Sequence, residues 1–339
     1  MRKLLLRISP ALHLTRVTTA FAAAANVWFV ILWTRAPHGE VLGQPHEPGF
    51  AILRQLPLWA LLAGGALNAV ALYAYAMALN DVLDHRRDRR LHPDRPIPSG
   101  SMPLERALNV VVITLVASVL GATVLGIPAI LLTLVLAGAI LVFNAAGKYV
   151  PAFGLVLLGL LYAGQMVVPN LNLRFVWPVW LVMTHTLAVA GIRHTLGGRS
   201  PGISRRAMVC AAGGWAFWSV VMLVFSWFRN QRPGAPWWNA LWPEWVSWKA
   251  AIGPVLLALV FVIWAIRKAA KLGPGPRAAE KIARYGALWL SLYSCAWFIG
   301  QGCNDEAIIL GALTLAGFLG MTVLKELYGF FEQPAGYRR

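Results

Sequence analysis

The feature that most constrains this chain is a series of apolar segments, each about long enough to cross a lipid bilayer. Crossing the hydrocarbon core takes about 20 predominantly apolar residues in a helix. Ten segments of this kind occur in the 339 residues, at about 11–34, 55–80, 106–125, 127–146, 151–169, 175–193, 208–228, 249–267, 284–300 and 305–324. The sequence therefore predicts an all-α polytopic membrane protein.

The composition supports this class and excludes others. Only 13% of the residues are charged, about half of the usual share in a soluble domain. The apolar run after Met1 merges into a full-length segment without a small-residue cleavage pattern, so we expect no cleavable signal peptide. The three cysteines lack the spacing of a metal or redox site.

The net charge of +17 is typical of a protein that follows the positive-inside rule. With the N-terminus inside and the segments alternating, 24 of the 30 Lys and Arg residues fall on the cytoplasmic side. We therefore expect an integral, multi-pass protein of the bacterial inner (cytoplasmic) membrane, with both termini in the cytoplasm. No basic stripe with interleaved aromatic residues occurs, which argues against nucleic acid as a partner.

The charges that do occur are concentrated in the stretch 79–100, LNDVLDHRRDRRLHPDRPIPSG. Asn80, Asp84 and Asp88 are spaced i, i+4, i+8, which places them on one face of a helix, and Asp81 lies one position round. Oxygen ligands from one helix end suit Mg²⁺, which takes the rest of its shell from water and substrate phosphates. The alternative is a solvated helix end with local Asp–Arg pairs.

A rigid turn is predicted directly after these carboxylates. In HPDRPIPSG (92–100), two prolines bracket Ile97 and Gly100 ends the run. We expect this turn to hold Arg95 so that it points back toward the carboxylate face.

A single basic residue interrupts the following apolar region. Lys148 is the only charged residue between Arg106 and Arg174, and it lies in FNAAGKYVP (143–151) at the predicted cytoplasmic end of a segment. It is either a substrate-binding residue or a basic anchor that faces lipid headgroups.

The stretch NDVLDHRRD…RPIPSG resembles the first aspartate-rich motif of the UbiA superfamily of intramembrane prenyltransferases, and FNAAGKYVP resembles a second signature of that family. The resemblance covers roughly residues 11–210. It implies a UbiA-like helix bundle, here with nine to ten spans, that transfers a prenyl group from a prenyl diphosphate to a lipophilic acceptor with Mg²⁺.

Residue roles are carried over from this resemblance. It implies Asp84, Asp88 and Lys148 as catalytic residues and Asn80, Asp84 and Asp88 as metal ligands. The implied substrate-binding residues are Asn80, Asp81, Arg16, Arg95, Asn144, Lys148, Arg193 and Arg199.

The chain departs from the family pattern at the second aspartate-rich motif. The corresponding loop, 191–206, contains no Asp or Glu, and no carboxylate occurs between Glu105 and Glu244. Either arginines such as Arg193 and Arg199 replace the second metal site, because guanidinium groups bind phosphate oxygens in pairs, or the protein binds a prenyl lipid without transferring it, as a carrier or as a subunit of a membrane assembly. A third interpretation makes these arginines ordinary positive-inside residues.

The loop 271–284 is too short to divide domains, so residues 1–339 are expected to form a single transmembrane domain. His185 lies inside an apolar segment, where it either lines a cavity or is a hydrogen-bonded core residue.

Overall fold

The protein is represented by a computed structural model that describes residues 11, 14–16, 19–36, 47, 51–198, 201–231, 234 and 236–332, with residues 51 and 324–332 described by their backbone alone. All regular elements of this part of the chain are helical. The α-helices are α1 (Phe21–Arg35), α2 (Ala51–Gln55), α3 (Leu58–Leu83), α4 (His85–Leu91), α5 (Leu104–Thr123), α6 (Ile127–Ala145), α7 (Pro151–Met166), α8 (Trp177–Leu196), α9 (Arg205–Asn230), α10 (Trp237–Leu241), α11 (Ile252–Leu272), α12 (Pro276–Gln301) and α13 (Asn304–Glu332).

Six of the described helices are long and apolar enough to cross a membrane: α3, α5, α6, α9, α11 with the turn that precedes it, and residues 304–323 of α13. Helices α1 and α7 are apolar but shorter. The predicted class, an all-helical integral membrane protein, is confirmed. The count of nine to ten spans stays a prediction.

Helix α1 lies between two clusters of buried residues. One cluster joins α1 to α7, α8, α12 and α13, and it includes Phe29, whose ring centroid lies 5.1 Å from that of Phe298. The other joins α1 to α3, α5 and α6 through residues such as Val27 and Ile31. Because α1 is buried on both sides, it connects the α3–α6 half of the bundle to the α8–α13 half.

Helices α3 and α5 approach each other closely because small residues line their contact. A Cβ atom placed on Gly121 of α5 would lie 2.4 Å from the backbone nitrogen of Asn68 and 2.7 Å from the carbonyl oxygen of Gly64 on α3. In lipid, helix association relies on this kind of close packing, since lipid tails are as apolar as the side chains. Glycine at position 121 therefore sets the distance between the two helices.

Hydrogen bonds between polar side chains also stabilise this contact. The buried Asn68 amide donates to the Ser118 carbonyl (3.0 Å) and to the Thr133 hydroxyl (3.0 Å), and so joins α3 to α5 and α6. Polar groups inside a bundle pair across helices because hydrocarbon offers no alternative partner. Helix α3, which leads into the aspartate motif, and α6, which leads into the turn with Lys148, are thus held together with α5.

A buried glutamate lies at the end of the bundle opposite to the aspartate motif. Glu47 is fully buried, and its carboxyl oxygens accept hydrogen bonds from the backbone N–H groups of Arg174 (2.8 Å) and Phe175 (2.9 Å). Burial raises the pKa of Glu47 from 4.5 to about 7, although these hydrogen bonds and the Arg174 charge act in the other direction. Glu47 therefore ties the segment after α1 to the start of α8.

We predict that replacing glycine by alanine changes the stability of the protein differently at two helical positions. Gly121→Ala should lower the free energy of unfolding by about 1–3 kcal/mol, because the new methyl group meets backbone that cannot move aside. The matched control is Gly138→Ala on α6, where no atom lies within 4 Å of the added Cβ. There the better helix propensity of alanine should leave stability unchanged or raise it by about 1 kcal/mol. Equal effects in a detergent unfolding titration would contradict the close α3–α5 contact.

We predict that Glu47 makes the protein less stable as the pH rises. A group whose folded pKa is raised from 4.5 to about 7 binds its proton more tightly in the folded state, so its contribution is complete below pH 4.5 and is lost as the pH rises through 7. The slope should reach about 1.4 kcal/mol per pH unit in that window. Glu47→Gln should flatten this part of the stability–pH curve, measured between pH 4 and pH 8. An unchanged slope would show that Glu47 does not titrate there.

Candidate active site

The aspartate motif lies at the end of α3, where the chain continues almost without interruption into α4. Helical hydrogen bonds run through the junction, since the Asp84 N–H donates to the Asn80 carbonyl (3.0 Å) and the Asp88 N–H to the Asp84 carbonyl (2.8 Å). The side chains fall into two groups: Asn80 and Asp84 share Lys148, whereas Asp88 shares Arg95 with Asp81. Asp81 and Asp88 are buried, with 4% and 3% of their surface exposed.

Two arginines from outside α3 bind the buried carboxylates. Arg16, just before α1, donates to Asp81 Oδ1 at 3.1 Å, and Arg95 donates to Asp88 Oδ2 and, at 3.4 Å, to Asp81 Oδ1. Arg95 thus points back toward the carboxylates, as expected from the proline-rich turn. Buried charges need such partners, because an unpaired carboxylate out of water is costly.

Arg16 adopts an uncommon backbone conformation. Its φ of 47° lies in the left-handed region, which costs a side-chain-bearing residue roughly 1–2 kcal/mol. Such strain persists only where surrounding interactions hold it. The Asp81 ion pair and the Thr19 N–H, which donates to the Arg16 carbonyl at 3.2 Å, are two such interactions.

Lys148 reaches the same motif from the turn between α6 and α7. Its ammonium group donates to Asp84 Oδ2 at 2.7 Å and to Asn80 Oδ1 at 3.0 Å. The short 3-10 helix Gly147–Tyr149 places it there, and α7 packs tightly against this turn because Gly154 has no Cβ to meet the Gly147 carbonyl. Lys148 therefore binds carboxylate and amide oxygens rather than facing only lipid headgroups.

Tyr149 also belongs to this site, although the sequence reasoning assigned it no role. Its hydroxyl donates to Asp84 Oδ1 at 2.8 Å, and its ring centroid lies 5.3 Å from Lys148 Nζ and 5.6 Å from the Arg87 guanidinium carbon. Burial raises the pKa of the Tyr149 phenol, and the hydrogen bond to Asp84 and the charge of that carboxylate raise it further, while Arg87 opposes the shift. Its position directly after Lys148 was the one sequence signal that could have indicated it.

The negative charges of three carboxylates at this site are matched by three positively charged side chains. Asp81, Asp84 and Asp88 are matched by Arg16, Arg95 and Lys148. Each of the three aspartates contacts a basic group, and the described residues contain no group of three acidic, His or Cys side chains arranged to hold a metal ion. In this state the carboxylates hold protein cations.

A pocket of about 390 Å³ opens beside this network. Arg16, Asp81 and Arg95 line it together with residues 91–94 and 96, which include His92 and Asp94. Two guanidinium groups on the wall of one pocket can bind phosphate oxygens in pairs.

The remaining residues predicted for the site are placed as follows. Asn144 is buried and donates to the Ala76 carbonyl at 3.2 Å, so it joins α6 to α3. Arg193 is half-buried near the end of α8, within electrostatic range of Tyr162 on α7. Arg199 lies outside the described residues.

The sequence is similar to that of a known protein family. The sequence model of the UbiA prenyltransferase family matches residues 48–281. The chain belongs to the UbiA prenyltransferase family. No curated protein matches the chain.

The structure of this chain is also similar to solved structures, several of which are UbiA homologs. A digeranylgeranylglyceryl phosphate synthase shares 16% identity and a TM-score of 0.54, over 87% of this chain and 98% of that chain. A UbiA homolog from Aeropyrum pernix K1 shares 18% identity and a TM-score of 0.49, over 80% and 94%. A UbiA homolog from Archaeoglobus fulgidus, bound to DMAPP and Mg²⁺, shares 14% identity and a TM-score of 0.42, over 92% and 99%. The first of these shows that the UbiA bundle is the fold of this chain.

We predict strong coupling between Lys148 and Asp84. Their side chains are only 15% and 12% exposed, so Lys148→Met should lower the free energy of unfolding by about 3 kcal/mol, because it leaves a buried carboxylate without its cation. Adding Asp84→Asn should restore part of this loss, with a coupling energy of at least about 1 kcal/mol in a double-mutant cycle.

The matched control for this cycle is the Glu280–Arg284 pair on α12, whose side chains are 70% and 34% exposed. That cycle should give about 0.3–0.5 kcal/mol. Similar coupling energies in the two cycles would mean that the Lys148–Asp84 pair is as solvated as a surface pair.

Proposed function

We propose that this protein transfers a prenyl group from a prenyl diphosphate to a lipophilic acceptor within the membrane, assisted by Mg²⁺. The observation that carries the proposal is the convergence of Asp81, Asp84 and Asp88 with three cations beside one pocket, in a member of the UbiA prenyltransferase family. The structure of a digeranylgeranylglyceryl phosphate synthase, which has the same fold, is consistent with it.

The donor set of this site fits Mg²⁺ in kind. Asn80, Asp84 and Asp88 would supply one amide oxygen and two carboxylates, all hard oxygen ligands, and substrate phosphates and water would complete the shell. When bound, Mg²⁺ would neutralise charge on the diphosphate and on the departing pyrophosphate. Tyr149 would keep Asp84 in position through its hydroxyl group.

The three cations would change partners when the substrate binds. Arg16, Arg95 and Lys148 hold the carboxylates, and a diphosphate with about three negative charges offers the two guanidinium groups bidentate partners and the ammonium group a stronger charge. As these cations turn to the phosphate oxygens, Asp84 and Asp88 would become free to hold Mg²⁺.

The reaction itself is expected to follow from this arrangement. The bond between C1 of the prenyl group and the diphosphate oxygen breaks, and the bonding electrons leave with pyrophosphate, which the cations hold. The acceptor carbon or oxygen then bonds to C1 and loses its proton. An apolar, water-excluded cavity in the bundle would protect the allylic cation from hydrolysis.

Arginines would compensate for the missing second aspartate motif. Residues 191–206 contain no carboxylate, and Arg193 lies near the bundle interior, within electrostatic range of Tyr162. We propose that Arg193 and Arg199 bind the phosphate oxygens that a second metal ion would otherwise hold. Guanidinium groups suit this role because they stay charged at any physiological pH.

Topology and placement complete the proposal. We place the aspartate end and both termini in the cytoplasm of a bacterial inner membrane, with nine to ten spans in a single transmembrane domain. The split of 24 against 6 basic residues between the two sides supports this orientation.

A second candidate function is non-catalytic binding or transport of a prenyl lipid. The lack of any Asp or Glu between Glu105 and Glu244 favours it, because ionisation of the diphosphate needs its charge to be stabilised on all sides.

Turnover by purified protein distinguishes the two functions. Given a radiolabelled prenyl diphosphate, Mg²⁺ and a panel of aromatic, sugar, porphyrin and glycerol-lipid acceptors, the wild-type protein should release pyrophosphate and label an acceptor. Asp84→Asn should lower the rate at least about a hundredfold, and Arg193→Ala about ten- to a hundredfold, since each removes charge stabilisation at the leaving group.

Glu280→Gln serves as the control, because Glu280 is an exposed residue of α12, and it should leave the rate unchanged. Tight binding of the prenyl diphosphate with no pyrophosphate release for any acceptor would support the carrier function and overturn the transferase. Turnover that survives Arg193→Ala and Arg199→Ala together would show that these arginines do not replace the second metal site.

A further inference from the structure

A second cavity lies between α8, α11 and α12 and shares no residue with the aspartate site. Its volume is about 350 Å³, within the range of small-molecule sites. Its walls include Ala188 and Ile192 of α8 and Ala265 and Ile266 of α11, and Tyr293 of α12 lies at its floor.

The floor of this cavity is polar, but its hydrogen bonds are made within the protein. His185 Nε2 lies 3.0 Å from the Gly286 carbonyl, and Nδ1 lies 3.1 Å from the Tyr293 hydroxyl. A carbonyl oxygen only accepts, so Nε2 carries the proton, and in the neutral ring Nδ1 accepts from Tyr293. Because the imidazole and the phenol satisfy each other, the floor offers no charge to a ligand, which favours a hydrocarbon occupant.

The cavity is a groove that is open to the bilayer. Its lining residues Ala188 of α8 and Val262 and Ile266 of α11 are exposed, and α11 is one of the helices long and apolar enough to cross a membrane. On α8 the lining runs from Leu181 to Leu196, about 22 Å of helix. This length exceeds half of the ~30 Å hydrocarbon core, so the groove can hold an acyl chain over the full depth of one leaflet.

One end of the groove is strongly basic. The last turns of α11 carry Arg267, Lys268 and Lys271. Neither α8 nor α11 carries a carboxylate, and Glu280 in the first turns of α12 is paired with Arg284. Basic pockets between membrane helices on the cytoplasmic side bind the headgroups of anionic lipids.

We propose that this groove is a binding site for an anionic phospholipid of the surrounding bilayer. One acyl chain lies along α8 and α11 above the His185–Tyr293 floor, and the phosphate group lies among the basic residues at the end of α11. The site is separate from the aspartate pocket and does not depend on the transferase function.

Photolabelling in vesicles tests this site. The full-length protein is reconstituted in equal parts of phosphatidylcholine and phosphatidylglycerol, with a trace of either lipid carrying a diazirine in its acyl chain, and labelled peptides of α8 and α11 are measured by mass spectrometry. Labelling of α5, whose outward residues face lipid elsewhere, serves as the internal reference. The phosphatidylglycerol probe should label α8 and α11 several-fold more than the phosphatidylcholine probe does.

Two variants with matched controls sharpen the result. Ala188→Phe fills the groove from an exposed position and should abolish the excess labelling, while Ala212→Phe, at an exposed position on α9, should not. Arg267→Gln with Lys268→Gln should lower phosphatidylglycerol labelling about 25-fold, at roughly fivefold per basic residue. Arg205→Gln with Arg206→Gln, which removes the same charge from α9, should leave it unchanged.

Equal labelling of α8 and α11 by the two probes, relative to α5, would overturn the proposal. So would displacement of the label by a prenyl diphosphate but not by unlabelled phosphatidylglycerol, since the groove would then hold an isoprenoid tail.

Discussion

The arrangement of this protein depends on the pairing of three aspartates around the junction of α3 and α4, two of them buried, with basic groups from other parts of the chain. A carboxylate at the membrane boundary loses most of its hydration, and a lone one would be neutralised or expelled. Here each carboxylate is retained because a cation reaches it. Arg16 comes from 65 residues earlier and Lys148 from 64 residues later. These ion pairs therefore bring three separate segments of the chain to one point.

The helix packing is what makes those pairings possible. Gly121 and Asn68 hold α3 against α5 and α6, so the turn after α6 arrives at the level of Asp84. Helix α1 is buried between the two halves of the bundle, so Arg16 arrives at the level of Asp81. The site thus depends on contacts that lie deep in the bundle and carry no charge.

The sequence predicted those features of the structure that follow from a pattern within one helix or turn. The long apolar runs predicted the helical class, and the prolines around Ile97 predicted the direction of Arg95. Both properties depend on neighbours within a few turns, so the local pattern alone reveals them. The shared metal-binding face of Asn80, Asp84 and Asp88 stays a prediction.

Contacts between distant elements could not be read from spacing. Tyr149 joins the site because a short 3-10 turn aims its hydroxyl at Asp84, and Glu47 is buried because it meets backbone amides 127 and 128 residues away. Asn144 shows the reverse case, since a residue of the recognised signature makes a helix-packing hydrogen bond to Ala76. Its assignment to the substrate stays a prediction.

The uneven distribution of acidic residues has a chemical consequence for a site of this kind. The aspartates lie on the α3 side, whereas α8, α9 and α11 carry basic residues and no carboxylates. A diphosphate held between the two sides would meet metal ligands on one and fixed guanidinium charge on the other. A metal ion can leave with pyrophosphate, but an arginine cannot, so product release on the α8 side would require guanidinium groups to give up the phosphate while they stay attached to the chain.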